Sequence, residues 1–130
     1  RIEIVAGSQL SAMTDTPSRE IFGEEDLVKR MMGDVALVRR VIRAFYSDTP
    51  VHVKELRQAI GDKNYDEARR LAHNIKGSAA NISAFALNQA ALDFENMVKQ
   101  NNYDQLEAGF SRLENQFAIL TSALRESGYL

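Results

Sequence analysis

Two histidines stand in this sequence, and they keep different company. His73 is followed by Lys76 at i+3 and Gly77 at i+4, with Ala80 one turn further. His52 lies two residues after Pro50 and three before Glu55. A neutral imidazole is a usable nucleophile near neutral pH. A lysine one helical turn on can reach an anion held on that ring, as a mobile point charge. Phosphoryl transfer asks for little more, since positioning and charge neutralisation do most of its work. A glycine inside a helix costs about 1 kcal/mol relative to alanine, so Gly77 asks for a reason. Close approach of another surface is one, and Ala80 keeps the same strip low.

The spacing predicts a helix from about 65 to 82 beneath these residues. Its core face is Ala68, Leu71, Ala72, Ile75, Ala79 and Ile82. At about 100° per residue, His73 sits well away from the centre of that stripe. Its own face holds Arg69, Arg70, Lys76, Gly77 and Ala80, and is basic and small. On geometry alone the alternative stays open. His73 is then an ordinary surface histidine, Lys76 ordinary helix solvation and Gly77 a tolerated defect.

The other elements must present this helix. Glu24, Glu25 and Asp26 precede Leu27, Val28, Met31 and Met32, with Gly33 beyond, which marks a short helix. Asp34 can cap the next, whose stripe runs Val35, Val38, Val41, Ile42 and Phe45. Val53, Leu56 and Ile60 carry that stripe past Pro50. One long helix is expected, kinked or briefly broken at Pro50 and ended by Gly61. Asn64 and Glu67 have the spacing of a capping box, and Asn102 with Gln105 repeats the pattern. Ser83 can cap a helix running to about Lys99. The final helix carries Leu106, Phe110, Leu113, Phe117, Leu120 and Leu124. Phe45, Tyr46 and the Met31–Met32 pair are expected to pack in the core or cover it. Short links between amphipathic helices favour antiparallel neighbours. The expected fold is all-α: an antiparallel four-helix bundle with an additional short N-terminal helix. Residues 1–19, rich in Ser, Thr and turn formers, are expected to be a linker or tail, and 20–130 the bundle. Only residues 2–5 alternate like a strand.

The chain has 130 residues, 45% of them hydrophobic and 26% charged, which suits one globular domain. The formal net charge of −2 argues against nucleic acid as a partner. With no cysteines, disulfides and thiolate zinc sites are excluded. No apolar run reaches the ~18 residues that span a bilayer, so no membrane contact is expected. No signal peptide is visible, and a cytoplasmic setting is expected. The chain begins at Arg1 rather than Met, and reads as a piece of something longer or a processed chain.

The string Ala72-His73-Asn74-Ile75-Lys76-Gly77-Ser78-Ala79-Ala80-Asn81-Ile82 resembles the signature of histidine-containing phosphotransfer domains: His-x-hydrophobic-Lys-Gly, then small residues. The resemblance extends over roughly residues 34–125 and includes the Asp62-Lys63-Asn64-Tyr65 turn. It implies that His73 accepts a phosphoryl group from a receiver-domain aspartate and passes it to another receiver. Lys76 would steady the phosphoryl oxygens, and Gly77 would leave room for the receiver. The family also places a polar residue on the following helix that orients the imidazole. A hairpin turning near residue 83 puts positions 93–95 level with His73, so Glu95 is the candidate. Lys99, one turn on, would add charge near the docking surface. The family pattern has glycine where this chain has Ser83, a departure that bears on the loop.

The resemblance implies receiver domains as partners and a monomer that exposes one face. The chain would be the C-terminal module of a hybrid sensor kinase, at the cytoplasmic end of a membrane-bound protein. No glycine-rich phosphate loop is present, so a carrier without its own kinase chemistry is expected, with no cofactor and no metal. His52 with Glu55 makes no complete metal site and reads as a partly exposed helix histidine. Arg39, Arg40 and Arg43 form either a solvated face or part of a docking surface. Two other classes compete. One is an adaptor bundle in which His73 has no chemistry. The other is a metal-pair bundle enzyme, which would need paired Glu-x-x-His motifs that this sequence lacks.

Overall fold

The computed structural model describes residues 16–130. Six α-helices follow in order: α1 (Ser18–Ile21), α2 (Glu24–Arg30), α3 (Val35–Gly61), α4 (Tyr65–Asn81), α5 (Phe85–Lys99) and α6 (Leu106–Glu126). A 3₁₀ turn, Tyr103–Gln105, precedes α6. No strand occurs among the described residues, and the alternating segment 2–5 lies outside them. Ser18 and Arg19, the end of the expected tail, belong to α1, which packs on α5 and α6. Two short helices, rather than one, therefore precede the bundle.

Helices α3 to α6 form the bundle, each packed on the next in sequence. Leu56, Leu71, Ile75, Leu87, Phe94, Leu113 and Leu120 are among the side chains at 0–1% exposure at its centre. Burying each such side chain contributes about 1.5–3 kcal/mol relative to leaving it in water. The α4–α5 contact is rich in alanine, with Ala68, Ala72, Ala79, Ala90 and Ala91 all buried. Small side chains let two helices approach closely. That approach brings polar groups at the edge of the contact within hydrogen-bond reach.

Helix α3 runs unbroken through Pro50. Proline removes one helical hydrogen bond, the one that the Tyr46 carbonyl would have accepted. The buried stripe Phe45, Thr49, Val53, Leu56 stays in phase across it, and burial of that face outweighs the lost bond.

The helix ends correct several expectations. Asp34 caps α3 by accepting from the Leu37 N–H, and Asn64 caps α4 by accepting from Glu67 N–H. Glu67, however, turns to Arg70 rather than back to the cap. Ser83 does not cap α5. It ends α4 in the left-handed region at φ 59°, and Ala84 occupies the cap of α5. The Ala84 N–H returns to the Ala79 carbonyl, which closes a Schellman motif. Met32, Lys63 and Asn101 take the same conformation at the other helix ends. Asn102 makes no capping bond, because the 3₁₀ turn intervenes. Tyr103 lies flat on Tyr65, rings 3.8 Å apart and 5° from parallel, and its hydroxyl donates to Asn101. Met31 packs against the core as expected, but Met32 is 93% exposed, because the left-handed residue points away from the helix pair.

Candidate functional site

His73 sits at the middle of α4, with its side chain 62% exposed. Across the seam, Glu95 of α5 is almost wholly buried, its side chain 3% exposed. The two meet, His73 Nδ1 lying 3.1 Å from Glu95 Oε2. Lys76 donates from Nζ to Oε1 of the same carboxylate at 2.8 Å. Lys99 Nζ stands 3.6 Å from Oε2, one turn further along α5. Three of the expected residues thus converge on the carboxylate of a fourth. Gly77 and Ala80 lie exposed on the same side of α4 as His73.

A buried carboxylate survives only if it is paired and hydrogen-bonded. Burial alone would push the Glu95 carboxyl up. The hydrogen bonds from Lys76 and His73, with the charges of Lys76 and Lys99, outweigh it and hold the group below the usual carboxylate range. Glu95 is therefore ionised at neutral pH. An ionised carboxylate only accepts, so it selects the imidazole tautomer with hydrogen on Nδ1. The lone pair of the neutral ring is then on Nε2, on the exposed side. This arrangement makes a fixed, solvent-facing nucleophile with cations beside it.

Gly77 has no internal reason to be glycine: a Cβ built there would meet nothing within 4 Å. The space above it is open. Arg69 is exposed one turn before His73, and Arg70 is exposed but tied to Glu67. Of the basic trio on α3, Arg39 is engaged at the other end of the molecule, donating to the Gly128 carbonyl and lying over the Tyr129 ring.

Residues that the sequence did not bring forward support the site. Asn88 of α5 donates from Nδ2 to the Lys76 carbonyl at 2.9 Å, tying the two helices one turn from His73. Its only sequence signal is that it precedes Glu95 by seven residues, on the same face. Beyond the α4 end, Ser83 replaces glycine in a left-handed position and is fully buried. Its hydroxyl donates to Asp26 at 2.7 Å and accepts from Arg30 at 2.6 Å. Arg30 also donates to the carbonyls of Ala80 and Asn81, the open end of α4. Asp26 and Arg30 thus hold the turn that a glycine would have relaxed. They stand 50 or more residues from these partners in sequence, so no local pattern signals them.

Among the described residues no group of His, Cys, Asp or Glu is arranged to hold a metal. No helix among them is long and apolar enough to cross a membrane.

The Hpt domain family model matches residues 40–126. The chain belongs to this family, the histidine-containing phosphotransfer domains. Such domains are phosphoryl carriers rather than kinases, and they work with response-regulator receiver domains. A phosphotransfer role in two-component signalling follows for this chain. A solved structure of a histidine-containing phosphotransfer protein from rice superposes with a TM-score of 0.72. The match covers 91% of this chain and 89% of that one at 20% identity, which shows a shared fold. No curated protein matches the sequence.

Proposed function

We propose that His73 is the phosphoryl-accepting residue, and that the chain relays phosphate between two receiver domains. The observation that carries this reading is the held imidazole: Nδ1 at 3.1 Å from an ionised, buried Glu95, with Nε2 left facing outward. In the forward step the Nε2 lone pair forms a bond to phosphorus of a receiver aspartyl phosphate. The phosphorus–oxygen bond to that aspartate breaks, and the carboxylate leaves. The proton stays on Nδ1, against Glu95. A second receiver's aspartate reverses the chemistry. Lys76 neutralises phosphoryl oxygens, while Gly77 and Ala80 let the partner come close. The partner supplies the metal and the remaining charge. The carrier works as a monomer, beside receivers in the cytoplasm.

The test is transfer of label from a phosphorylated receiver domain to the full chain. Acid-labile, base-stable label should appear on the wild type and be absent from a folded His73→Gln variant. If no receiver of the host labels the folded wild type, the relay reading fails and an adaptor bundle remains.

A further inference from the structure

Glu95 meets three nitrogen groups but has only two oxygens, and the three are not held alike. Lys76 has Oε1 to itself at hydrogen-bonding distance. His73 Nδ1 holds Oε2. Lys99 stands at 3.6 Å from Oε2, within ion-pair range but beyond a hydrogen bond. The Lys99 side chain is 52% exposed and that of Lys76 25%. One lysine is committed and the other is in reserve.

The reserve becomes meaningful once a phosphoryl group reaches His73. Lys76 is on the same helix as His73, one turn on, and is the cation able to follow the new charge. The donors that its ammonium gives to phosphoryl oxygens weaken its hold on Oε1 of Glu95. If it turns toward the phosphoryl oxygens, Glu95 keeps only the Nδ1 proton. A carboxylate buried to this degree is strongly disfavoured without a counter-ion. It would also face a phosphoryl group of like charge. Lys99 lies at i+4 from Glu95, the favoured order for an acid–lysine pair on a helix. A small rotation of its exposed, flexible stem closes the remaining gap.

We propose that Lys99 is the reserve counter-ion of Glu95, which takes over the carboxylate when Lys76 turns to the phosphoryl group. Lys99 is thus a positioning residue: it acts on the imidazole through Glu95 and never touches phosphate. This inference rests on the reading of His73 as the phosphoryl acceptor.

The experiment loads the full chain with potassium phosphoramidate, so that no receiver docking enters. The His73 Nε2–phosphorus bond forms, the phosphorus–nitrogen bond of the donor breaks, and ammonia leaves. Phosphohistidine is followed by phosphorus NMR, and the lysine ammonium groups by nitrogen NMR. In the wild type, loading should shift the ammonium signals of both Lys76 and Lys99. In Glu95→Gln the Lys99 signal should not respond to loading. Lys99→Met should load about 3- to 10-fold more slowly, the size of coupling expected between groups in one network, and Lys99→Arg should restore most of the rate. Circular dichroism verifies the fold of each variant. Normal loading of Lys99→Met, or a Lys99 signal that stays still while Lys76 moves, overturns the proposal and leaves the His73 reading intact. Absence of phosphohistidine in the folded wild type, with either donor, removes both.

Discussion

The two histidines lie on different seams of one bundle. His73 is on the α4–α5 seam, where alanines bring the helices together and each polar atom of the central carboxylate has a partner. His52 is on α3, which meets α6 through a looser contact of large rings. Phe45 and Tyr46 pack on Phe117 there, with centroids 6.1 and 5.6 Å away, and Tyr46 shares a 2.8 Å hydrogen bond with Thr121. At the far end Arg57 pairs with Glu107 at 2.6 Å. Thr49 and His52 follow Tyr46 on α3, and Gln116 precedes Phe117 on α6. Thr49 Oγ1, His52 Nδ1 and Gln116 Oε1 are all buried without a protein partner. The comparison separates the histidine proposed to carry phosphate from one with no such setting. The first has one nitrogen fixed by a buried anion and the other open to an approaching partner. The second has a nitrogen buried with nothing to fix it.

The largest effect that tests this contrast is loss of the acceptor. His73→Gln should abolish transfer of label from a phosphorylated receiver, while His52→Gln should leave it unchanged. Label lost in both variants, with the fold intact, would break the distinction between the seams.

Next in size is Glu95→Gln. An amide has one accepting oxygen where the carboxylate has two, and it carries no charge to hold the lysines. Removing an outer group that orients a reactive ligand typically lowers activity by about 10- to 100-fold. Transfer to this variant should slow by that order, measured as an initial rate of labelling. The pH dependence of stability should change as well. The Glu95 carboxyl titrates lower in the folded protein than in the unfolded chain. Its contribution is therefore fully present above the unfolded value, about 4.3, and is lost as pH falls through the lower folded value. Denaturant midpoints measured down this acid limb should fall less steeply for Glu95→Gln than for wild type. Equal slopes would mean that the carboxylate is not held by its cations.

Pro50 tests the other seam. Replacing it by alanine restores a donor for the Tyr46 carbonyl and raises helix propensity. The stiffer unfolded chain that proline provides is lost, which offsets part of the gain. Pro50→Ala should stabilise the fold by about 1–2 kcal/mol in urea titrations, with labelling of His73 unchanged. Destabilisation would show that the proline shapes the α3–α6 contact rather than being tolerated by it.

What the sequence disclosed follows the range of the interactions involved. The amphipathic stripes of α3 to α6 repeat within single helices, so the bundle was legible from period alone. His73, Lys76, Gly77 and Ala80 share one helix, so their common face was legible too. Placing Glu95 opposite His73 needed the family resemblance, which implies a polar residue on the following helix, as well as the register of a hairpin turning near residue 83. The Asp26–Arg30–Ser83 cluster was not legible, since Ser83 stands more than 50 residues from both of its partners. Ser83 looked like a cap because serine usually is one. Buried bonds to Asp26 and Arg30 compensate the left-handed strain and override that preference. At Pro50 the expected single long helix holds without a break, because burial of the face on which Phe45, Thr49 and Val53 lie outweighs the lost hydrogen bond.

The smallest effect is the most discriminating for the α3–α6 seam. Thr49 is fully buried, and its hydroxyl has no protein partner. Valine has nearly the same shape without the hydroxyl. Leaving a buried hydroxyl unsatisfied costs about 1–3 kcal/mol, and replacing it by an apolar group removes that cost. Thr49→Val should therefore raise stability by up to about 1 kcal/mol, seen as a shift of the urea midpoint with an unchanged slope. A bridging water shared with His52 and Gln116 would reverse the sign, because the variant would strand the other two groups. Ser78→Ala on α4 gives the reference for a hydroxyl deletion on the better-packed side of the bundle. A stabilised Thr49→Val marks the α3–α6 seam as dry and frustrated. A destabilised one marks it as hydrated, with His52 held by solvent where His73 is held by a carboxylate.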